Sequence, residues 1–282
     1  MRVLVTGGAG QLAHAIRLIW AEHELVIPAE SELDLSRPES IQSVVSSVKP
    51  DVLVNCAAFT QVDRCESEAA LARLINATAV GWLVEACEAQ GAMLVQISTD
   101  YVFDGTATRP YNEDDPTNPT SVYGRTKLEG ERQAARCSRH LIARTSWLYD
   151  AWGKNFLNTM VNAANQGRSL RVVDDQRGAP TTCRALARQL KVAAEQQWQG
   201  IVHTTCQGET TWYGFAKAIF EAKGMQVDLS PCTTADYPTP ATRPAYSVLD
   251  GDRRQQLGTD LMPHWLEALA QVVAQSDLSK EA

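Results

Sequence analysis

Arg2-Val-Leu-Val-Thr-Gly-Gly-Ala-Gly-Gln-Leu-Ala13 decides the fold of this chain. Residues 2–6 are a short apolar run of the kind that makes a buried strand, and glycines follow at once. Beyond them Ile16, Leu18, Ile19 and Trp20 recur in a helical pattern. Strand, glycine turn and helix in this order open a dinucleotide-binding fold. Glycine lets the backbone come close to a pyrophosphate. The helix N-terminus then offers free N–H groups and a favourable dipole. Ala13 takes the last glycine position of G-x-x-G-x-x-G and is small enough to keep helix and strand in contact.

Working outward, the chain alternates. Leu25–Ile27 predicts a second strand, 38–48 a helix and Asp51–Asn55 a strand, and 66–90 is largely helical. Ala92–Ile97 predicts another strand, which ends at Ser98-Thr99-Asp100. A loop rich in Pro and Asp covers 104–120, a helix runs from Ser121 to about 137, and Leu141–Arg144 is strand-like. Such alternation predicts an α/β, Rossmann-type doubly wound parallel sheet. Ligands bind beyond the carboxyl ends of such strands. Gly7–Leu12, Cys56–Thr60, Thr99 and Trp147 each follow a predicted strand.

After about 150 the rhythm loosens. Helices at 155–165, 184–197, 211–223 and 263–275 surround a strand at Leu170–Val173 and a Pro/Thr-rich stretch at 231–244. The stretch is too polar for core and reads as a surface loop or as a wall of a substrate pocket. The expected division is 1–148 as the dinucleotide-binding domain, with a strand near 170–180 returning to it. Residues 149–282 then form mainly a smaller, mixed substrate-binding domain.

Composition sets bounds. The chain has 282 residues, 44% hydrophobic and 21% charged, as in an ordinary globule. A net charge of -7 argues against nucleic-acid binding. No apolar run in the sequence approaches the roughly 20 residues of a membrane span. The first strand starts at Arg2, so no signal peptide is expected. Seven scattered cysteines without a Cys-x-x-Cys suggest reduced thiols in a cytoplasm. The five histidines show no ligand spacing, so no metal site is expected.

Tyr123 and Lys127 stand four apart, on one face of the predicted helix. A nearby cation favours the phenolate and lowers the phenol's pKa. A tyrosine tuned in this way exchanges a proton during carbonyl–alcohol interconversion, and Thr99 can hold the substrate oxygen. After strand two, Glu30 and Glu32 are candidates for a ribose diol, and no arginine stands there for a 2′-phosphate. NADH is therefore expected, with NADPH tolerated.

Together, Gly7–Ala13, Asn55–Thr60, Ser98–Phe103 and Tyr123–Lys127 resemble the extended short-chain dehydrogenase/reductases. The resemblance narrows to the dTDP-4-dehydrorhamnose reductase family on further segments. These are Val62-Asp63 with Glu66, Asn76-Ala77-Thr78, Arg144–Tyr149, Asn155-Phe156, Asp175–Thr181 and Tyr237–Pro244. It implies NAD(P)H-dependent reduction of the 4-keto group of a dTDP-4-keto-6-deoxyhexose. Gly10, Gln11 and Leu12 would meet the cofactor phosphates, Asp34 and Leu35 would lie near the adenine, and Ala58, Phe59 and Thr60 would line the cofactor's middle. Ile97 would touch its nicotinamide side. Tyr123 would donate the proton while Lys127 holds the nicotinamide ribose. Thr99, Asp100 and Trp147 would contact the sugar, and Arg243 the diphosphate. Phe59 and Arg177 depart from the family's usual residues, and the loop after strand two is short. Some members dimerise through glutamate-bound magnesium. Those glutamates are not matched here, so monomer and homodimer both stay open.

Two rivals are weaker. One is another nucleotide-sugar enzyme, a 4-ketoreductase, a 4,6-dehydratase or an epimerase; a dehydratase of this superfamily carries Asp-Glu after the threonine, whereas Tyr101 follows Asp100 here. The fold also serves as a regulatory subunit of methionine adenosyltransferase, a role that needs no intact Thr99, Tyr123 and Lys127.

Overall fold

The computed structural model describes residues 1–278. The first part of the chain lays down β1 (Arg2–Thr6), α1 (Gln11–Ile19), β2 (Glu24–Val26), α2 (Pro38–Val48), β3 (Val52–Asn55), α3 (Val62–Ser67) and α4 (Ala69–Arg73). A π-helical turn at Leu74–Thr78 leads into α5 (Ala79–Gln90), β4 (Met93–Thr99), α6 (Val122–Ala134) and β5 (His140–Thr145). Then come β6 (Leu148–Tyr149), α7 (Phe156–Asn165), β7 (Leu170–Val173), β8 (Arg177–Gly178), β9 (Thr181–Thr182) and α8 (Cys183–Glu195). The last elements are β10 (Gly200–His203), β11 (Thr210–Thr211), α9 (Trp212–Ala222), β12 (Leu229–Cys232), α10 (Asp252–Gln256) and α11 (Trp265–Leu278).

Six parallel strands form one sheet in the order β2-β1-β3-β4-β5-β10. Side chains alternate across it. Val3 and Val5 join Ile16, Trp20, Leu186 and Leu190 on the face covered by α1 and α8. Leu4 and Leu53 join Ile41, Val80 and Leu83 on the face covered by α2 and α5. Burial on both faces is why these strands read as continuous apolar runs.

The returning strand differs from expectation. Residues 170–173 pair with β12 outside the main sheet, and β10 joins the sheet beside β5. The apolar pair Ile201-Val202 gives β10 too short a signal to stand out, while β7 is equally apolar but serves the C-terminal core of Tyr149, Leu157, Val172, Phe215 and Trp265.

The helical run Ala69–Gln90 is long and apolar enough to cross a membrane, contrary to the bound drawn from the sequence. Half of its most apolar window is buried within the protein, as in a core helix.

The sheet order reverses between β1 and β3, and the crevice of such folds lies where this happens. The turns after these two strands touch. A Cβ on Gly7, whose φ is 69°, would stand 2.9 Å from Ala57 Cα. Only glycine fits that conformation and that contact.

Candidate active site

The glycine turn fits a nicotinamide dinucleotide. Gly10 caps α1 with backbone alone, no side chain closes the helix end, and no carboxylate sits in its first turn. The first-turn amides have no intrahelical acceptor and point outward with the positive end of the dipole. A Cβ on Gly8 would meet Ile27 Cγ2 and Pro28 O at 3.0 Å, so the turn is pressed against the end of β2. The Gln11 side chain is already engaged, because its Oε1 accepts from Asn155 Nδ2 at 2.7 Å and its stem packs on Gly153. What Gln11 offers an anion is therefore its backbone.

The proton-transfer groups come from β4 and α6. Thr99 ends β4, Asp100 opens the 3-10 turn that follows, and Tyr123 lies in the first turn of α6 with Lys127 one turn on. Several contacts fix this turn. Ser121 Oγ accepts from Gly124 N at 3.1 Å, and Glu66 Oε1 accepts from Val122 N at 2.8 Å. A carboxylate at a helix N-terminus is also favoured by the dipole. Lys127 Nζ donates to Ile97 O at 2.6 Å. The Tyr101 ring meets the Tyr123 ring edge-on at 5.6 Å.

Two glycines let α6 sit this deep. A Cβ on Gly124 would lie 2.2 Å from Tyr101 O, and one on Gly130 would lie 2.1 Å from Asn76 O. Asn76 occupies the π-helical turn, a feature frequent at functional sites. Its amide accepts from Phe59 N at 2.8 Å, donates to Phe59 O at 3.2 Å and donates to Thr126 Oγ1 at 3.1 Å. Thr126 Oγ1 in turn donates to Tyr123 O at 3.0 Å. The segment after β3 is thus tied to the helix carrying Tyr123. The positioning contacts of Asn76, Glu66 and the two glycines escaped the sequence reading. Asn76 and Glu66 stood in it as family signatures without roles.

Burial dominates the electrostatics. It pushes the Tyr123 phenol well above its ordinary value, while the nearby Thr99 hydroxyl pulls the other way. The lowering expected from Lys127 is not among the influences on the phenol; Asp100 and Cys65 add to the rise, and a desolvated phenolate is costly. Burial also lowers Lys127 to about 8, with Glu131 opposing. Asp100 is pushed up to about 6 by burial. Its Oδ1 accepts from Thr99 Oγ1 at 2.9 Å. Its Oδ2 has no hydrogen bond of ordinary geometry, and the Ser247 and Thr99 hydroxyls only partly offset the desolvation.

Trp147 projects from a left-handed backbone position, φ 48°. Its indole stacks on Trp212 with centroids 3.6 Å apart and planes at 7°. On the other side it lies against Gly178, where a Cβ would be 2.5 Å from Trp147 Cε2. Trp212 and Gly178 were not foreseen as parts of this wall.

Other expected site residues fare differently. Ala58 and Phe59 are half-buried and Thr60 is exposed, all at the β3 edge. The Arg64 guanidinium covers the Phe59 ring at 5.3 Å. Asp34 closes a local turn, accepting from Ser36 N at 2.8 Å and Ser36 Oγ at 2.7 Å. Leu35 is buried in the core beneath α2. Arg243, expected to meet a diphosphate, is held by Asp63 at 3.0 and 2.8 Å and by Ala241 O at 2.9 Å. Its charge is already paired, and it pins the 237–244 segment to α3.

A parallel sheet with a glycine turn at its reversal point, and a Thr/Tyr/Lys set beside it, define the class: a Rossmann-type nicotinamide-dependent oxidoreductase. Comparison with known proteins narrows this. The family model described as RmlD substrate binding domain matches residues 1–278. A dTDP-4-dehydrorhamnose reductase of Burkholderia thailandensis is 41% identical over 95% of this chain and 97% of its own. The solved dTDP-4-dehydrorhamnose reductase of Clostridium acetobutylicum superposes with a TM-score of 0.95, at 40% identity over 99% of this chain and 100% of the other. That of Bacillus anthracis, in complex with NADP, also gives 0.95, at 33% identity over 97% and 99%. The chain belongs to the RmlD family, that of the dTDP-4-dehydrorhamnose reductases.

Proposed function

We propose that this protein reduces the 4-keto group of a dTDP-4-keto-6-deoxyhexose, most simply dTDP-4-dehydro-L-rhamnose to dTDP-L-rhamnose, with NADH or NADPH. The observation that carries the reading is the meeting of Thr99, at the end of β4, with Tyr123 on α6, which carries Lys127 one turn on. When bound, the reduced nicotinamide supplies the hydride. The backbone of Gly10, Gln11 and Leu12 holds its pyrophosphate. Lys127 holds the nicotinamide ribose while its Nζ stays anchored on Ile97 O. Tyr123 gives its proton to the oxygen at C4. Burial keeps the phenol protonated, which is the form an acid must have before the carbonyl is reduced. Thr99 orients that oxygen with a second hydrogen bond, Asp100 binds a sugar hydroxyl, and Trp147 walls the sugar. Arg243 acts on the diphosphate through the loop it pins. Residues 1–148, with α8 and β10, form the dinucleotide-binding part, and most of the remaining residues form the substrate-binding part. The seven free thiols suit a reducing cytoplasm.

The test follows loss of reduced-nicotinamide absorbance with dTDP-4-keto-L-rhamnose made in situ by a dehydratase and an epimerase. Turnover that requires the epimerase supports the L-sugar, and turnover without it moves the substrate to a D-configured keto sugar. Tyr123→Phe should lower kcat by about 10²–10⁴-fold with cofactor binding retained. Undiminished turnover would remove Tyr123 from the mechanism.

A further inference from the structure

Away from this site, at the end of β10, His203 is fully buried and neither ring nitrogen has a hydrogen-bond partner. Two carboxylates face it. Glu113, 7% exposed, comes from the loop before α6, and half-buried Asp250 comes from the segment before α10. One ligand atom from each residue lies within 4.8 Å of the other two. A neutral buried imidazole beside carboxylates ordinarily donates to one of them. Here the gap is too wide for that bond. It is close to the separation, up to about 4 Å, of donors that share a cation at roughly 2.0–2.2 Å.

The charges nearby leave room for a cation. Arg144 is held by Glu131 at 2.8 Å, Arg254 by Asp260 at 2.6 Å, Arg253 by Asp114 at 2.7 Å and Arg109 by Asp115 at 2.7 Å. Glu113 has only a longer approach from Arg253, at 3.9 Å, and its Oε1 accepts from His203 N at 2.8 Å. Glu113, Asp250 and Asp252 are therefore a surplus of negative charge. A pocket of about 290 Å³, lined by Asp250, Gly251, Arg254 and Gln255 among others, adjoins the Asp250 side of the cluster.

We propose that His203, Glu113 and Asp250 bind one divalent transition-metal cation of the zinc or manganese class, completed by water. One imidazole and two carboxylates suit these ions better than magnesium, which prefers oxygen alone. The ion braces three segments: the end of β10, the loop 104–120 that leads into α6, and the 246–250 strip beside Asp100. It takes no part in proton transfer. The second cluster, Glu22, His23 and Glu195, is more exposed, and Lys191 already pairs with Glu22.

The test uses the full chain, stripped with chelator and desalted, then titrated with zinc, manganese or magnesium chloride and analysed for bound metal. One equivalent of zinc or manganese should be retained, and magnesium should not. Asp250→Asn and Glu113→Gln should each weaken binding by at least about tenfold, and a Glu195→Gln control should not. Glutamine at 113 keeps an acceptor for the His203 amide, so this variant carries the test if Asp250→Asn fails to fold. Cobalt should show weak visible bands of nitrogen and oxygen ligation. The proposal is overturned by the absence of a stoichiometric ion, by binding that survives both substitutions, by loss in Glu195→Gln, or by an intense thiolate band.

Discussion

Replacing Asp100 by Asn should stabilise the protein and impair it as an enzyme. Burial raises this carboxyl from 3.8 to about 6. This rise corresponds to roughly 3 kcal/mol, at most, lost by keeping Asp100 ionised in the folded state. The sign follows from proton binding. Between about pH 4 and 6 the folded state holds more protons than the unfolded state, so stability falls as pH rises through this window. Above it the full cost is present. Asn removes the charge, but its Nδ2 replaces Oδ2, which has no hydrogen bond of ordinary geometry. An unsatisfied buried donor costs about 1–3 kcal/mol, reduced here if the nearby Ser247 hydroxyl turns to accept. The net gain expected near neutrality is up to about 2 kcal/mol, or a Tm rise of up to roughly 5 °C for a chain of this size. Thermal unfolding of both proteins across about pH 4 to 8 isolates the effect, because the shift of Asp250 to about 6 is common to both and cancels in the difference. A gain that grows with pH and then levels off supports the reasoning. A variant less stable than wild type near neutrality, or a difference independent of pH, refutes it. Turnover should fall by about 10- to 100-fold if Asp100 helps to place the sugar, since misplacement near the chemistry costs this much.

Gly130→Ala would set a Cβ 2.1 Å from Asn76 O, so it should cost about 1–3 kcal/mol in urea unfolding and displace α6. An unchanged midpoint would show that the contact is slack. Gly178→Ala would set a Cβ 2.5 Å from the Trp147 indole. It should raise KM for the keto sugar by about tenfold while leaving KM for the cofactor nearly unchanged. Equal changes in both constants would separate Trp147 from sugar recognition.

The legible parts of the molecule share a cause. Strands β1, β3, β4 and β5 are buried on both faces, and this makes their apolar runs long enough to recognise. Strands β6, β8, β9 and β11 have two residues each, and no periodicity exists over that length. Tyr123 and Lys127 were readable because helical spacing fixes their common face. The contacts that position them were not. Glu66 reaches Val122 across 56 residues, and Asn76 reaches Thr126 across 50. Arg243 read as a free cation because its partner, Asp63, lies 180 residues away. His203 showed no ligand spacing for the same reason, since Glu113 and Asp250 come from separate loops.

The composition of α6 makes sense only against this background. Two glycines in a helix cost about 1 kcal/mol each in propensity. They are also the positions where Tyr101 O and Asn76 O press against the backbone. Larger residues would hold α6 away from β4, and Lys127 Nζ would then not reach Ile97 O at 2.6 Å. The same closeness buries Lys127 and half-buries Tyr123. Desolvation acts in opposite senses on an acid that ionises to an anion and a base that protonates to a cation. It therefore holds the phenol protonated and brings the ammonium down to about 8. At neutral pH the phenol still carries the proton the alkoxide needs, and most of the lysine still carries its charge. Helix packing, rather than a charge pair between the two residues, sets both protonation states.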